Sequence, residues 1–474
     1  MLKKVALSWI DENKSHLVGV SDQIWDFAEL GLQEFKSSAL LMKELEKHGF
    51  NIESGVVGMP TAFVASYGAS KPALGIMGEY DALSDLSQKP VTKKEVLVEG
   101  APGHGCGHNI HGTSGMAAAI AVSKALKAQG IKGTVKFFGC PAEETLVGKI
   151  FMVRDGVFRG VDAVFSHHPS TMNAARLGST NALNSVKFQF HGVASHAGAS
   201  PHRGRSALDA VELMNTGVNY MREHVVQEAR IHYVIEEGGG APNVVPAYAS
   251  SWYYIRAPER SQVEHIYRWI LKIAEGAALM TGTTHSYKFL TGGYNCLNLQ
   301  TMADLVVKNM REIGTPTYTE EELTFAKEIQ KTIPSENIVE SLKRSKREDW
   351  QNLRDVIIDR TIPEPWGKGE VSGASTDVAD VSWQAPTKEF STATWVLGIP
   401  GHSWQIVAMG KSSVAHKSLI FAAKTMAACV LDTMTQPSLL KKMWDELEKA
   451  KQGERYVSPL PLDLKPPTDQ FHPQ

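Results

Sequence analysis

The sequence is poor in cysteine, in net charge and in long apolar runs, and each of these absences excludes a class of protein. Only four cysteines are scattered over 474 residues, which excludes a disulfide-rich framework. Lys and Arg total 49 against 51 Asp and Glu, so neither a nucleic-acid footprint nor a polybasic membrane surface is expected. No apolar run approaches the roughly 18 residues that span a bilayer. We therefore expect a globular protein without a nucleic-acid or membrane partner.

The N-terminal residues lack the sustained apolar core of a secretion signal, because Asp11, Glu12 and Lys14 interrupt it early. Reduced thiols in a cytoplasmic protein are the simplest expectation for such a chain. The length is enough for two or three domains with a full hydrophobic core.

Strand and helix patterns alternate through the first part of the chain. Residues 73–83, 133–139 and 161–168 are typical of strands, and 113–130 is typical of a helix that stops at a glycine. The order predicts an α/β fold, an open mixed sheet with helices on both faces. A last long helix is predicted over 416–450.

Residues 185–291 follow a different order, β-α-β-β-α-β, which is the ferredoxin-like pattern. We predict that they form a small α+β domain inserted into the larger one. The catalytic domain would then consist of residues 1–184 and 292–474. Its charged helical stretch, about 316–368, is expected to be a solvated surface or subdomain.

The segment GHGCGHNIHGT contains Cys106 two residues before His108, with His104 and His111 on either side. A structural zinc knot normally needs a second Cys or His pair at short spacing, and none follows closely. Two interpretations remain: half of a metal site that distant residues complete, or a reactive thiol beside a base. The flanking histidines are expected to support the loop or to contact substrate.

Further polar groups follow the predicted strands, at the edge where functional groups gather in open α/β sheets. Glu143 and Glu144 are adjacent, so their side chains point in different directions. One can bind metal while the other serves as general base, although an isolated pair is usually surface charge. Asp81 either caps a helix or orients a ligand histidine. His168 and His402 are further ligand candidates.

A second constellation lies in the inserted domain, in the segment HGVASHAGASPHRG. His196 stands there in a loop among small residues that leave it free to project, although a lone loop histidine is usually just solvated. The glycine-rich turn at 238–247 does not match a phosphate loop, since no GK[ST] follows it.

Taken together, these segments resemble a known family, the dinuclear metallo-amidohydrolases related to aminoacylase, carboxypeptidase G and the auxin-conjugate hydrolases. The matching motifs appear in family order: GHGCGHNIHGT, PAEET, HHP, ASHAGASPHRGRSALDA, GGGAPNVVP and STDVADVSWQAPT. Their details look most similar to the aminobenzoyl-glutamate utilization protein B branch. The motifs extend from about residue 26 to 460, so the resemblance covers nearly the whole chain.

The resemblance implies two divalent metal ions, zinc or manganese, and a lid and dimerisation role for residues 185–291. It implies Glu143 as general base and His196 as a group that stabilises the oxyanion, often in the partner subunit's active site. Asn243 and Arg256 match positions associated with holding the substrate. The implied metal ligands are Cys106, His108, Glu144, His168 and His402.

The sequence departs from the family pattern or leaves a choice at three places. Asn109 stands where many relatives carry Asp after the Cys-Gly-His. His167 adjoins His168, which we choose as the ligand because its spacing from Asp162 fits the family. His416 is the alternative to His402 as the last ligand.

We therefore predict a metal-dependent amidohydrolase that cleaves an N-acyl or N-aroyl amino acid, such as p-aminobenzoyl-glutamate. Auxin-conjugate hydrolysis and dipeptidase activity are the alternatives within the same family. Outside that chemistry, Cys106 could be the nucleophile of a Cys-His hydrolase, or the chain could be a subunit that needs a paralogous partner. A homodimer is expected, with a heteromer as the alternative.

Overall fold

The computed structural model describes residues 2–468; Met1 and the last six residues, the end of the Pro-rich tail, lie outside the described range. A six-stranded sheet in the order β1-β2-β4-β3-β5-β10 forms the centre of the larger domain. Strands β3, β4, β5 and β10 run parallel, and β1 and β2 pair antiparallel at one edge. The strands are β1 (Asn51–Ser54), β2 (Phe63–Tyr67), β3 (Ala73–Glu79), β4 (Thr134–Cys140), β5 (Ala163–Ser170) and β10 (Thr387–Ala393).

Helices cover this sheet, and the predicted open mixed α/β fold is confirmed. All seven residues of the central strand β3 are buried, as expected for a strand covered on both faces. The first helices are α1 (Leu2–Glu12), α2 (Lys14–Phe27), α3 (Phe35–Lys47), α4 (His108–Gln129) and α5 (Gly148–Arg154). After the insert come α8 (Gln300–Ile313), α9 (Glu320–Gln330), α10 (Ser335–Arg344), α11 (Val378–Ser382), α12 (Trp404–Met409), α13 (Ser413–Thr435) and α14 (Pro437–Lys451).

Two helix boundaries differ from the prediction, each for a local reason. Helix α4 begins at His108 rather than near residue 113, after Gly107 at φ 85°, a left-handed conformation that glycine adopts freely. The predicted helix over 416–450 is two helices, because Pro437 lacks the N–H needed to continue α13 and instead begins α14.

Helix α13 is long and largely apolar, although Lys417, Lys424 and Asp432 interrupt it. By length and composition it is the one helix among residues 2–468 that could cross a membrane. However, 78% of its most apolar window is buried inside the protein, where it packs against α1, α4 and α8. It is a core helix of this fold.

The second sheet lies between Ala182 and Gly293, close to the predicted insert. Its antiparallel order β7-β8-β6-β9, covered by two helices on one face, is the ferredoxin-like arrangement. The elements are β6 (Ala182–His191), α6 (Ala207–Met221), β7 (Arg230–Glu237), β8 (Tyr248–Ala257), α7 (Arg260–Thr281) and β9 (Thr284–Gly293).

The charged stretch 316–368 is more than a solvated surface. Leu342 and Leu353 are buried against Met172 and Leu397 of the larger domain. The end of this stretch is hydrogen-bonded through its backbone to the segment that precedes β6. The Leu177 N–H, for example, donates to the Trp366 carbonyl at 2.8 Å. This stretch therefore forms one wall of the cleft beside the sheet.

Candidate metal centre

The site lies at the carboxyl edge of the parallel strands, where their last residues and the start of α4 converge. Glu79 ends β3, Glu143 and Glu144 follow β4, and His168 lies near the end of β5. Gly112 allows the helix to sit directly on the strand, since a Cβ there would lie 2.5 Å from the Glu79 carbonyl oxygen. The first turn of α4 therefore reaches the same edge.

Two groups of metal-ligating side chains meet at Cys106. One group is Cys106, His108 and His168, and the other is Cys106, Glu144 and His402. Within each group the ligand atoms lie within 4.8 Å of one another, and the Cys106 sulfur is 3.3 Å from His168 Nε2. The structure thus brings all five predicted ligands together around one sulfur atom.

Neighbouring acceptors fix the orientation of two of the imidazoles. His108 Nδ1 lies 2.7 Å from Asp81 Oδ1, and an ionised carboxylate can only accept, so Nδ1–H is the donor. His168 Nδ1 donates likewise to the Pro169 carbonyl at 2.8 Å. Both rings therefore present Nε2 to the cluster, and in the neutral ring this nitrogen carries the lone pair that can bind a metal ion.

Asp81 also holds the second ligand group in place. Its Oδ2 accepts a hydrogen bond from the Glu144 backbone N–H at 3.0 Å, while its Oδ1 faces His108. One buried carboxylate therefore positions a ligand from α4 and a ligand from the loop after β4, and it caps no helix here.

The chemistry of these side chains fits divalent metal ions. His108 Nε2 and Glu144 Oε1 are buried without a hydrogen-bond partner in residues 2–468, which is costly unless a ligand satisfies them. Although burial opposes it, the imidazoles of His168 and His108 hold the pKa of Cys106 well below its usual value. A thiolate with imidazole and carboxylate neighbours suits borderline metals such as zinc.

Glu143 points away from Glu144 and has a different environment. Its Oε1 accepts a hydrogen bond from Thr376 Oγ1 at 3.0 Å. Its carboxylate lies close to the Glu79 carboxylate and the His108 ring, with ligand atoms within 4.8 Å of one another. Burial, together with the charges of Glu79 and Asp377, raises the pKa of Glu143 well above its usual value. A raised pKa makes a carboxylate a stronger base, which suits it to accept a proton from water.

The structure distinguishes the two members of each histidine pair that the sequence offered as alternative ligands. His402 Nε2 is 3.4 Å from Glu144 Oε2, whereas His416 pairs with Asp22 at 2.8 Å and belongs to neither ligand group. His167 points to the opposite face of β5 from His168, where it contacts Ser114 and Thr392, because successive strand residues alternate.

The flanking polar residues of the cysteine segment are structural. His104 is buried against the Ile24 carbonyl, and burial lowers the pKa of this imidazole to about 4. Burial likewise lowers the pKa of His111, to about 3, and its Nδ1 accepts the Glu79 backbone N–H. Asn109 donates to Ser21 and to the Gly410 carbonyl, which joins α4 to α2 and to the end of α12.

The predicted substrate residues of the insert do not join the cluster within this chain. The His196 ring is in an exposed loop, and its Nδ1 accepts the backbone N–H groups of Gly198 and Ala199. The Asn243 carbonyl accepts the Ala197 N–H at 2.9 Å, so these two loops are neighbours. Arg256 lies on β8 with its guanidinium 4.9 Å from the Tyr254 ring.

Behind the cluster lies a buried ionic network that sequence reasoning missed. Lys149 Nζ is 2.7 Å from Glu79 Oε1 and 2.6 Å from Asp377 Oδ1, and all three side chains are almost completely buried. Glu79 Oε2 lies 3.3 Å from His108 Nε2, but the two atoms form no hydrogen bond. The available signal was indirect: Glu79 ends a predicted strand and Asp377 belongs to the STDVADVSWQAPT motif, but nothing pointed to Lys149.

Replacing Lys149 by methionine should lower the free energy of unfolding by about 3–5 kcal/mol, because it leaves two buried carboxylates without their counter-ion. Urea unfolding in a fixed metal state measures this. Lys441→Met, which breaks an exposed pair with Asp445, is the matched control and should shift the midpoint little. Equal effects of the two substitutions would contradict the role given to Lys149.

An open α/β sheet with this donor set at its carboxyl edge defines a class, the hydrolases that cleave amide bonds at a metal centre. The chain belongs to peptidase family M20/M25/M40, whose sequence profile matches residues 75–432.

Individual relatives agree with this assignment. The chain is 41% identical to one of the subunits of p-aminobenzoyl-glutamate hydrolase from Escherichia coli K12, over 96% of this chain and 97% of that protein. It is 28% identical to the Xaa-Arg dipeptidase of Mus musculus, over 97% and 95% of the two chains. A dinuclear metal-binding M20 peptidase from Bacillus subtilis shares the fold, with a TM-score of 0.57, 17% identity and coverage of 90% and 99%.

Proposed function

We propose that this chain hydrolyses the amide bond of an N-acyl or N-aroyl amino acid, such as p-aminobenzoyl-glutamate, with two divalent metal ions. The observation that carries the proposal is the meeting of two ligand groups at Cys106 with Glu143 beside them. The name of the Escherichia coli relative supports the substrate, and the thiolate favours zinc, with manganese as the alternative.

The residues of this chain would divide the work as follows. Cys106, His108, Glu144, His168 and His402 would hold the ions, which when bound act as Lewis acids toward the scissile carbonyl. Glu143 takes a proton from the attacking water and delivers it to the leaving nitrogen. The hydrogen bond from Thr376 fixes the Glu143 carboxylate for both transfers.

The insert would supply the substrate contacts. His196 would donate a hydrogen bond to the oxyanion, and Asn243 and Arg256 would hold the substrate. Because the His196 ring is exposed and lies outside the ligand groups of its own chain, we assign it to the active site of a partner in a homodimer. A heteromer is the alternative, since the Escherichia coli relative is named as one subunit of a hydrolase.

A Cys-His hydrolase is the competing function, and the short distance from the Cys106 sulfur to His168 favours it. That chemistry leaves the buried, unpartnered nitrogen of His108 and oxygen of Glu144 without a purpose. Removal of metal by a chelator separates the two, because it would not affect a thiol nucleophile.

We expect purified protein to contain two zinc or manganese ions per chain, and we expect chelation to abolish hydrolysis until metal is returned. Elemental analysis alongside an activity assay tests this. Full activity with well under one ion per chain would refute the proposal.

A panel of N-acyl and N-aroyl amino acids, assayed with zinc, manganese and cobalt, tests the substrate. We expect cleavage of p-aminobenzoyl-glutamate by the chain alone if it is a homomeric enzyme. Cleavage that appears only after a paralogous subunit is added would support the heteromer.

A further inference from the structure

A cavity of about 400 Å³ opens beside the metal centre, between the edge of the sheet and the charged stretch 316–368. Its lining includes His168, Glu389 and Thr376, and Thr376 donates a hydrogen bond to Glu143. The volume is within the range of small-molecule sites. A substrate whose amide lies at Glu143 can therefore extend one substituent into this cavity.

The lining of the cavity carries an excess of positive charge. It contains four cations, Arg176, Arg344, Lys346 and Lys388, and two carboxylates, Glu370 and Glu389. Arg344 pairs with Glu340 outside the lining, and Glu370 lies 3.4 Å from Arg176 and 3.6 Å from Lys346. Three cations therefore remain against two carboxylates.

Lys388 is the most informative of the four because its side chain is buried. Its ammonium group donates to the Arg176 carbonyl oxygen and to Asn298 Oδ1, both neutral acceptors. Within residues 2–468 no carboxylate forms a salt bridge with it, and burial lowers the pKa of Lys388 to about 8 although the charge of the neighbouring Glu389 opposes this. Burial of a cation without a counter-ion is costly, and an anionic ligand would remove that cost.

The wall opposite the sheet is held rigidly, although it belongs to the charged stretch 316–368. The buried Arg347 pairs with Asp359 at 2.5 Å, and Trp366 Nε1 donates to the Ser345 carbonyl at 2.9 Å. The Arg176 guanidinium lies over the Trp366 ring, 5.6 Å from its centroid. Arg176 is therefore held against this wall by its contact with Trp366.

We propose that this cavity binds the side-chain carboxylate of the substrate's amino acid, through Arg176 and Lys388, and so selects N-acyl acidic amino acids. The inference rests on the proposed function and narrows it to amides of glutamate or aspartate. An uncharged side chain of the same shape would leave these cations unpaired and should be rejected.

The test compares p-aminobenzoyl-glutamate with p-aminobenzoyl-glutamine, which has the same shape but no side-chain charge. We expect the metal-loaded wild-type protein to prefer the glutamate amide. Arg176→Gln should reduce the ratio of the two kcat/KM values by about 10- to 100-fold, the effect of one charged hydrogen bond. Lys388→Met should do the same, and Arg176→Gln keeps the test valid if the buried substitution prevents folding.

Lys343→Gln is the control for Arg176→Gln, because it removes a nearby cation that lies outside the cavity lining. The control should keep the ratio. An unchanged ratio in Arg176→Gln, or equal cleavage of both amides by the wild type, would overturn the inference while the proposed function stands. No cleavage of any amide would overturn the proposed function, and the inference with it.

Discussion

The substitution Glu143→Gln should lower kcat by about 10⁴-fold, the upper end of what a general base contributes. The large effect is expected because one carboxylate must both accept the proton from water and return it to the leaving amine. The glutamine amide can still take the hydrogen bond from Thr376 through its oxygen, so the fold should be retained. Steady-state kinetics with metal analysis measure both properties.

The neighbouring Glu144→Gln provides the contrast, since Glu144 belongs to a ligand group with Cys106 and His402. We expect this variant to lose metal rather than only turnover. Near-wild-type kcat in Glu143→Gln would contradict the role of Glu143 as general base. Metal loss in Glu143→Gln but not in Glu144→Gln would show that the two roles are reversed.

The substitution His196→Ala should lower kcat by about 10²- to 10³-fold, as loss of one oxyanion donor does elsewhere. Bound metal should not change, because His196 belongs to neither ligand group. Its ring is tied to the backbone of its own loop at Nδ1 only, which leaves Nε2 to act on a substrate.

Mixing two inactive variants tests whether His196 acts across a dimer. If it does, a mixed dimer of His196→Ala and Glu143→Gln contains one active site with both groups intact, and part of the activity should return. Mass spectrometry must verify the mixed dimers. No recovery in verified mixed dimers would place the histidine in its own chain's site or remove it from the mechanism.

The order of elements was accessible from the sequence because it depends on local patterns. The short apolar run of β3 and the alternation of apolar and polar residues in β6 both match the burial in the structure. Boundaries were less accessible. The start of α4 at His108 depends on a left-handed glycine and on contact with β3, and neither produces a periodic signal.

The candidate ligands were also accessible, since strand-end residues in an α/β sheet meet at one edge whatever the loop lengths. Residues that surround the site without binding metal could not be predicted in this way. Lys149 lies in an apolar helix, and Lys388 lies in a strand more than 200 residues further along the chain. The sequence does not show whether a lysine side chain is solvated or buried, because burial depends on segments that are distant along the chain.

The sequence by itself determined the α/β architecture, and it predicted the ferredoxin-like order of the insert and the candidate metal ligands. Tertiary structure alone decided which face His167 and His168 present, which of His402 and His416 approaches Glu144, and which lysines lose their water. The physical reason is the distance along the chain over which each property is set. Periodicity and residue chemistry are local, whereas burial and charge pairing depend on segments that meet only when the chain has folded.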